Sequence, residues 1–169
     1  GDIWSLFETT ARFHAAAVLE EAVETERPAK AHDWGALLDR AVREVESMYP
    51  TEGLEGWPEA LARTREVLPD LAARWRDRPI DTWCHRDVHA HNAMRRKAAD
   101  GEGRGALALI DLARVAPGCW IEDALFLERL CWGRDGVLCG VDPLMTLAKA
   151  RRGQGLPAPE SLKEMFQDA

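Results

Sequence analysis

Between Ile80 and Asp111 the helical period that organises most of this chain breaks down, and nothing else in the sequence constrains its fold so sharply. Ile80 to Cys84 is short and β-like, and His85 to Asn92 follows with no period at all. Ala93 to Arg96 and Ala106 to Ile110 read as two more short strands. The link between them, Ala99-Asp-Gly-Glu-Gly-Arg-Gly105, is dense in turn formers and predicts a hairpin loop. A hairpin here brings Asp111, at the end of its second strand, back to the neighbourhood of Asn92 at the start of its first.

The flanks are helical. Leu6, Thr10, Phe13 and Ala17 recur at three-to-four spacing and predict an amphipathic helix over residues 3–24. A second helix is expected from Trp34 to Met48, capped by Asp33 and stopped by Pro50. A third begins near Pro58, carries Leu61, Val67, Leu71 and Trp75, and should kink or split at Pro69. After Asp111 an irregular stretch ends at Pro117-Gly118. Then come a strongly apolar helix from Trp120 to Trp132, a helix near Pro143 to Arg152 and a last short one. The expected fold class is therefore α+β, mostly helical, with one small β-hairpin in its middle. The expected organisation is a single domain over 1–169: a helical part (1–78), the loop and hairpin (79–118) and C-terminal helices (119–169).

Composition narrows the partners. A formal net charge of −7 argues against a general nucleic-acid binder and against anionic lipid surfaces. It suits a cationic or neutral small substrate better. No apolar run reaches membrane-span length and no signal-peptide pattern opens the chain, so no membrane partner and a cytoplasmic location are expected. Cys84, Cys119, Cys131 and Cys139 show no paired spacing and sit in apolar surroundings, as buried free thiols would.

The chemistry lies in Cys84-His85-Arg86-Asp87-Val88-His89-Ala90-His91-Asn92 and in Asp111. Phosphoryl transfer needs a carboxylate to take the proton of the attacking hydroxyl and hard oxygen donors to hold a metal against the phosphates. Asp87-x-x-x-x-Asn92 supplies a base and an amide oxygen on one loop, and Asp111 supplies a further carboxylate on the neighbouring strand. A second reading uses the alternation of an extended segment, in which His85, Asp87, His89 and His91 could converge on one zinc ion for a metal-dependent hydrolase. That reading leaves Asn92, Asp111, Gly118 and Asp123 without a role. A third is a catalytically inactive binding domain that keeps the fold.

His85-Arg-Asp-Val-His-Ala-His-Asn92 resembles the His-Gly-Asp-Leu-His-Pro-Gly-Asn loop of the aminoglycoside phosphotransferase and choline kinase family. Ile110-Asp111 is similar to that family's Ile-Asp-Trp, and Gly118 and Asp123 stand at the family's following Gly and Asp offsets. Thr10-Ala-Arg-Phe-His14-Ala looks like its Leu-Ala-x-Leu-His helix. The resemblance implies the C-terminal lobe of a protein-kinase-like fold, with the hairpin carrying the catalytic and metal residues. It implies Asp87 as catalytic base, Asn92 and Asp111 as magnesium ligands, and His85, His89 and Asp123 as supports of the loop. ATP or GTP is the implied co-substrate and a small-molecule hydroxyl, as in aminoglycosides or choline, the implied acceptor. The family's N-terminal lobe carries a phosphate-covering loop and a strand Lys paired with a helix Glu; no such pattern precedes Trp4. The expectation is a fragment, inactive alone, that lacks the ATP-clamping lobe as a partner. Gly101-Glu-Gly-Arg-Gly105 lies on the wrong side of the loop to cradle phosphate.

The sequence departs from the family at Arg86 for Gly, Ala90-His91 for Pro-Gly, Leu112 for an aromatic and Cys119 for a common Asp. These concern substrate class and not the reacting groups. Elsewhere the plainer roles are expected. His14 packs, His32 lies on a surface loop, and Glu20, Glu21, Glu24 and Glu26 form a solvated helix end. Trp120, Phe126, Leu127, Leu130 and Trp132 are core, and Glu122 faces solvent. Asp123, among large apolar side chains, needs hydrogen-bond partners, and backbone N–H groups of the loop would serve.

Overall fold

A computed structural model describes residues 2–18, 33–48, 55–98, 104–129 and 140–160. The acidic run Glu20 to Glu26, His32, Cys131, Cys139, Leu130, Trp132, the hairpin tip and the last short helix lie outside the described residues. The chain divides into two compact units, one made of Gly1–Val23 and Pro79–Asp168, the other of Glu24–Arg78.

The first unit is built on α1 (Asp2–Ala16), whose Leu6, Phe7 and Ala11 enter the core. This helix stops well short of residue 24. Ala17 turns back onto the His14 carbonyl, its own carbonyl accepts from Trp83 N–H, and Val18 bridges to Thr82. Strand pairing thus overrides the helical pattern and pins the end of α1 against β1 (Thr82–Cys84). β2 (Ala93–Lys97) and β3 (Arg104–Leu109) form the antiparallel hairpin, with Ala93 opposite Leu109 and an irregularity between Arg95 and Lys97. Gly105 sits where a Cβ would run into the carbonyls of Arg96 and Lys97, so the hairpin needs a glycine there. A second small sheet was not legible in the sequence. Ala116–Gly118, an irregular stretch by pattern, is β4 and pairs antiparallel with β1, Thr82 opposite Gly118 and Cys84 opposite Ala116. Three residues with a proline and a glycine carry too little periodicity to announce a strand; only the partner reveals it.

α4 (Ile121–Arg129) and α5 (Pro143–Gly153) close the unit. Asp142 caps α5 by accepting from Met145 N–H at 2.9 Å. Phe7, Val88, Trp120, Leu127 and Leu147 come from four separate segments into one cluster. Full burial of each large side chain contributes about 1.5–3 kcal/mol. Val88, in the middle of the polar loop, is completely buried and anchors that loop into the cluster.

The second unit packs α2 (Trp34–Met48) on α3 (Trp57–Asp77). Asp33 caps α2 through Ala36 N–H at 2.9 Å. Leu38 and Val45 are the buried residues of α2, while α3 has none. Pro69 does not split α3, which runs unbroken for 21 residues. Because no residue of this helix is buried, the carbonyl that loses its partner to proline can turn to water. Among the described residues no helix is long and apolar enough to cross a membrane.

Candidate active site

The polar loop begins at the end of β1 and is held by one buried carboxylate. Asp123, on the first turn of α4, is completely buried. Its Oδ2 accepts from His85 N–H at 2.9 Å and its Oδ1 from Arg86 N–H at 2.6 Å. His14 Nε2 lies 2.9 Å from the same Oδ2. Three donors satisfy a carboxylate that would otherwise be costly to bury.

Among the described residues two non-glycines have left-handed backbones, Arg86 at φ 61° and Asp111 at φ 58°, and both flank the site. Each such residue costs about 1–2 kcal/mol. At Arg86 the side chain offsets part of this. Its Nε lies 2.8 Å from Glu122 Oε2, and its Nη2 donates to the Pro117 carbonyl at 2.9 Å. Glu122 therefore does not face solvent as its position beside Asp123 suggested. It is one-fifth exposed, pairs with Arg86, and accepts from Cys119 N–H at 3.2 Å in the manner of a capping box. Gly118 leaves the room for this pair, since a Cβ there would stand 2.5 Å from Glu122 Oε1.

Asp87 follows, three-quarters covered, with its carbonyl and its Oδ2 accepting from Asn92 Nδ2 at 3.0 and 3.2 Å. A single 3₁₀ turn over Ala90–Asn92 makes this return possible, closed by Asn92 N–H on the His89 carbonyl at 3.0 Å. With its amide hydrogens engaged by Asp87, Asn92 keeps its Oδ1 as a hard oxygen donor. The hairpin does bring Asp111 to this place: Ile110 N–H donates to the Asn92 carbonyl at 2.9 Å, and His85 Nε2 lies 2.9 Å from the Ile110 carbonyl. Asp111 itself is exposed, and among the described residues no donor engages its carboxylate. Asn92 Oδ1 and the Asp111 carboxylate are oxygen donors of the kind that could hold a hard cation such as magnesium.

The histidines do not gather around a metal. His89 Nε2 is 3.7 Å from Asp87 Oδ1 and its ring meets His91 edge-on at 5.7 Å. His85 Nε2 is engaged by a backbone carbonyl. Among the described residues no group of three or more His, Cys, Asp or Glu side chains is arranged to hold a metal ion, so the zinc-hydrolase arrangement is not favoured. The 3₁₀ turn breaks the alternation on which that convergence depended. Behind the loop, burial pushes the Cys84 thiol well above its usual pKa, helped by the Asp123 and Glu122 charges.

Sequence reasoning passed over Arg151 and Asp81 and read His14 only as packing. His14 does pack, but both of its ring nitrogens are engaged as well. Its position in the Leu-His-like motif was the available signal. Arg151 had none, because a basic residue in the last turn of a helix is ordinary.

The sequence matches the profile of the phosphotransferase enzyme family over residues 4–164. The chain belongs to the phosphotransferase enzyme family. Among solved structures it is similar to an aminoglycoside phosphotransferase from Alicyclobacillus acidocaldarius, at 20% identity and a TM-score of 0.44. That match covers 88% of this chain but 47% of the other, so the chain spans about half the length of the solved relative. No curated protein matches it. The matched span contains the loop from His85 to Asn92 and the acid at Asp111.

Proposed function

We propose that this chain is the C-terminal, catalytic lobe of a protein-kinase-like phosphotransferase that moves the γ-phosphoryl of ATP or GTP to a small-molecule hydroxyl. The observation that carries this reading is the double hydrogen bond from the Asn92 amide to Asp87. It orients the Asp87 carboxylate while leaving the Asn92 oxygen for a cation. Asp87 accepts the hydrogen bond of the acceptor hydroxyl and takes its proton as that oxygen bonds to the γ-phosphorus. The bond from phosphorus to the β–γ bridging oxygen breaks, and the nucleoside diphosphate leaves with the electron pair. Magnesium, held by Asn92 and Asp111, would neutralise charge on the phosphates. Catalysis then comes chiefly from positioning and electrostatics.

Asp123 holds the backbone immediately before Asp87, His85 ties that segment to the Ile110 carbonyl, and His89 shapes the loop beside it. The acceptor is a small alcohol of the aminoglycoside or choline kind, for which the net charge of −7 favours a cation. The proposed turnover requires a nucleotide-gripping lobe beside this one.

The test uses the full gene product and this chain side by side. Calorimetry should show magnesium-dependent nucleotide binding by the full product and none by the chain alone. Asp87→Ala in the full product should abolish transfer and keep nucleotide binding; retained turnover would remove Asp87 from its role. A product that binds nucleotide and transfers nothing to any acceptor would point to an inactive binding domain instead.

A further inference from the structure

A buried chain of polar groups runs from α5 to the loop. Arg151 is almost fully buried, and its Nη1 lies 3.1 Å from His14 Nδ1. Its Nη2 donates to Asp81 Oδ2 at 3.1 Å and to the Pro157 carbonyl at 3.4 Å. The guanidinium plane also sits 5.1 Å from the Trp120 ring. Beyond His14 stands Asp123, and beyond Asp123 the backbone N–H groups of His85 and Arg86, next to Asp87.

A guanidinium only donates. The His14 nitrogen that faces it must therefore present a lone pair, which places the ring proton on Nε2, the nitrogen 2.9 Å from Asp123 Oδ2. In the other tautomer a lone pair would oppose the carboxylate and a ring N–H would oppose the guanidinium. Both contacts of the relay would turn repulsive. Packing alone does not call for a guanidinium here, since burying one is costly, and burial pulls its pKa below the usual value.

We propose that Arg151 is a positioning residue for the Asp87 loop, acting through His14 by selecting the tautomer that donates to Asp123. It touches no reacting group. Its effect reaches Asp87 only as the placement of two backbone N–H groups on one carboxylate.

The proposal rests on the phosphotransferase reading for its kinetic arm alone. In long-range proton–nitrogen spectra of the labelled protein, His14 should be protonated at Nε2 and bare at Nδ1. In Arg151→Met the Nδ1-protonated form should appear, and Arg151→Lys, which keeps a donor, should restore the native tautomer in part. In the full gene product Arg151→Met should lower kcat roughly ten- to a hundred-fold, with the nucleotide KM moved less than about two-fold. Leu147→Ala, buried on the same helix, is the control for mere loss of stability. It should lower Tm yet keep kcat within about two-fold when measured below its melting transition. A wild-type His14 protonated at Nδ1 would overturn the proposal even if no variant folds. So would an unaltered tautomer in Arg151→Met, or a kcat that tracks Tm in both variants. A gene product without phosphotransfer removes the proposed function and leaves the spectroscopic arm to decide the role of Arg151 in the relay.

Discussion

Asp123→Asn removes a charge without removing a shape, and so isolates what the buried carboxylate contributes. The native group receives His14 Nε2 and His85 N–H on Oδ2 and Arg86 N–H on Oδ1. Asparagine has one oxygen. Placed at the Oδ2 position it keeps two bonds, but its NH2 then meets the Arg86 N–H, which approaches to 2.6 Å in the native protein. The reverse orientation loses two acceptors and is worse. A buried N–H without an acceptor costs about 1–3 kcal/mol, and two charge-assisted bonds weakened to neutral ones cost about 1 kcal/mol each. The expected loss is about 3–5 kcal/mol, a large share of the roughly 5–15 kcal/mol that holds a domain together. Urea denaturation followed by tryptophan fluorescence measures it, with Trp120 buried one turn away. Asp39→Asn serves as the contrast, since its ion pair with Arg65 at 2.6 Å is half exposed and should be worth less than about 1 kcal/mol. A loss below about 1 kcal/mol at Asp123 would refute the argument that this carboxylate anchors the loop.

Three further outcomes follow from the same geometry. Arg86→Gly removes the ion pair with Glu122 but relieves the left-handed backbone, so its stability should stay within about 1 kcal/mol of the parent. Arg86→Ala loses the pair and keeps the strain; it should be less stable than the glycine variant by about 1 kcal/mol, and equality of the two in denaturant melts would contradict the assigned strain. Gly118→Ala should cost about 1–3 kcal/mol by driving Glu122 off Arg86, a loss that Glu122→Ala in the same chain should largely suppress. The Cys84 thiol is buried and its pKa raised, first by desolvation and then by the Asp123 and Glu122 charges. Peptide-resolved iodoacetamide labelling at about pH 8 should miss Cys84 until the protein is unfolded, and native-state labelling would refute its burial.

Much of the site is legible because its residues lie close together in sequence. Asp87 and Asn92 are five positions apart on one loop, and Asp111 lies two residues beyond the hairpin strand whose Leu109 pairs with Ala93. Local pattern also supplied the capped start of α2 and the hairpin itself. It failed where a distant partner decided the outcome. The first helix ends at Ala16 because Val18 finds Thr82, and Ala116–Gly118 becomes a strand because Thr82–Cys84 lies beside it. Glu122 turns inward because Arg86 and the Cys119 N–H are there to receive it.

By itself, then, the sequence determined the mostly helical class, the hairpin and the list of candidate site residues. Each depends on side-chain period or on turn chemistry within a few residues. Only the tertiary structure decided what holds those groups in place. His14, Arg151 and Asp81 reach the loop from segments separated by 109, 137 and 70 residues across the hydrogen bonds that join them. No local spacing encodes such a chain. A buried polar group must find its partner wherever packing brings one, and that choice exists only once the core has closed.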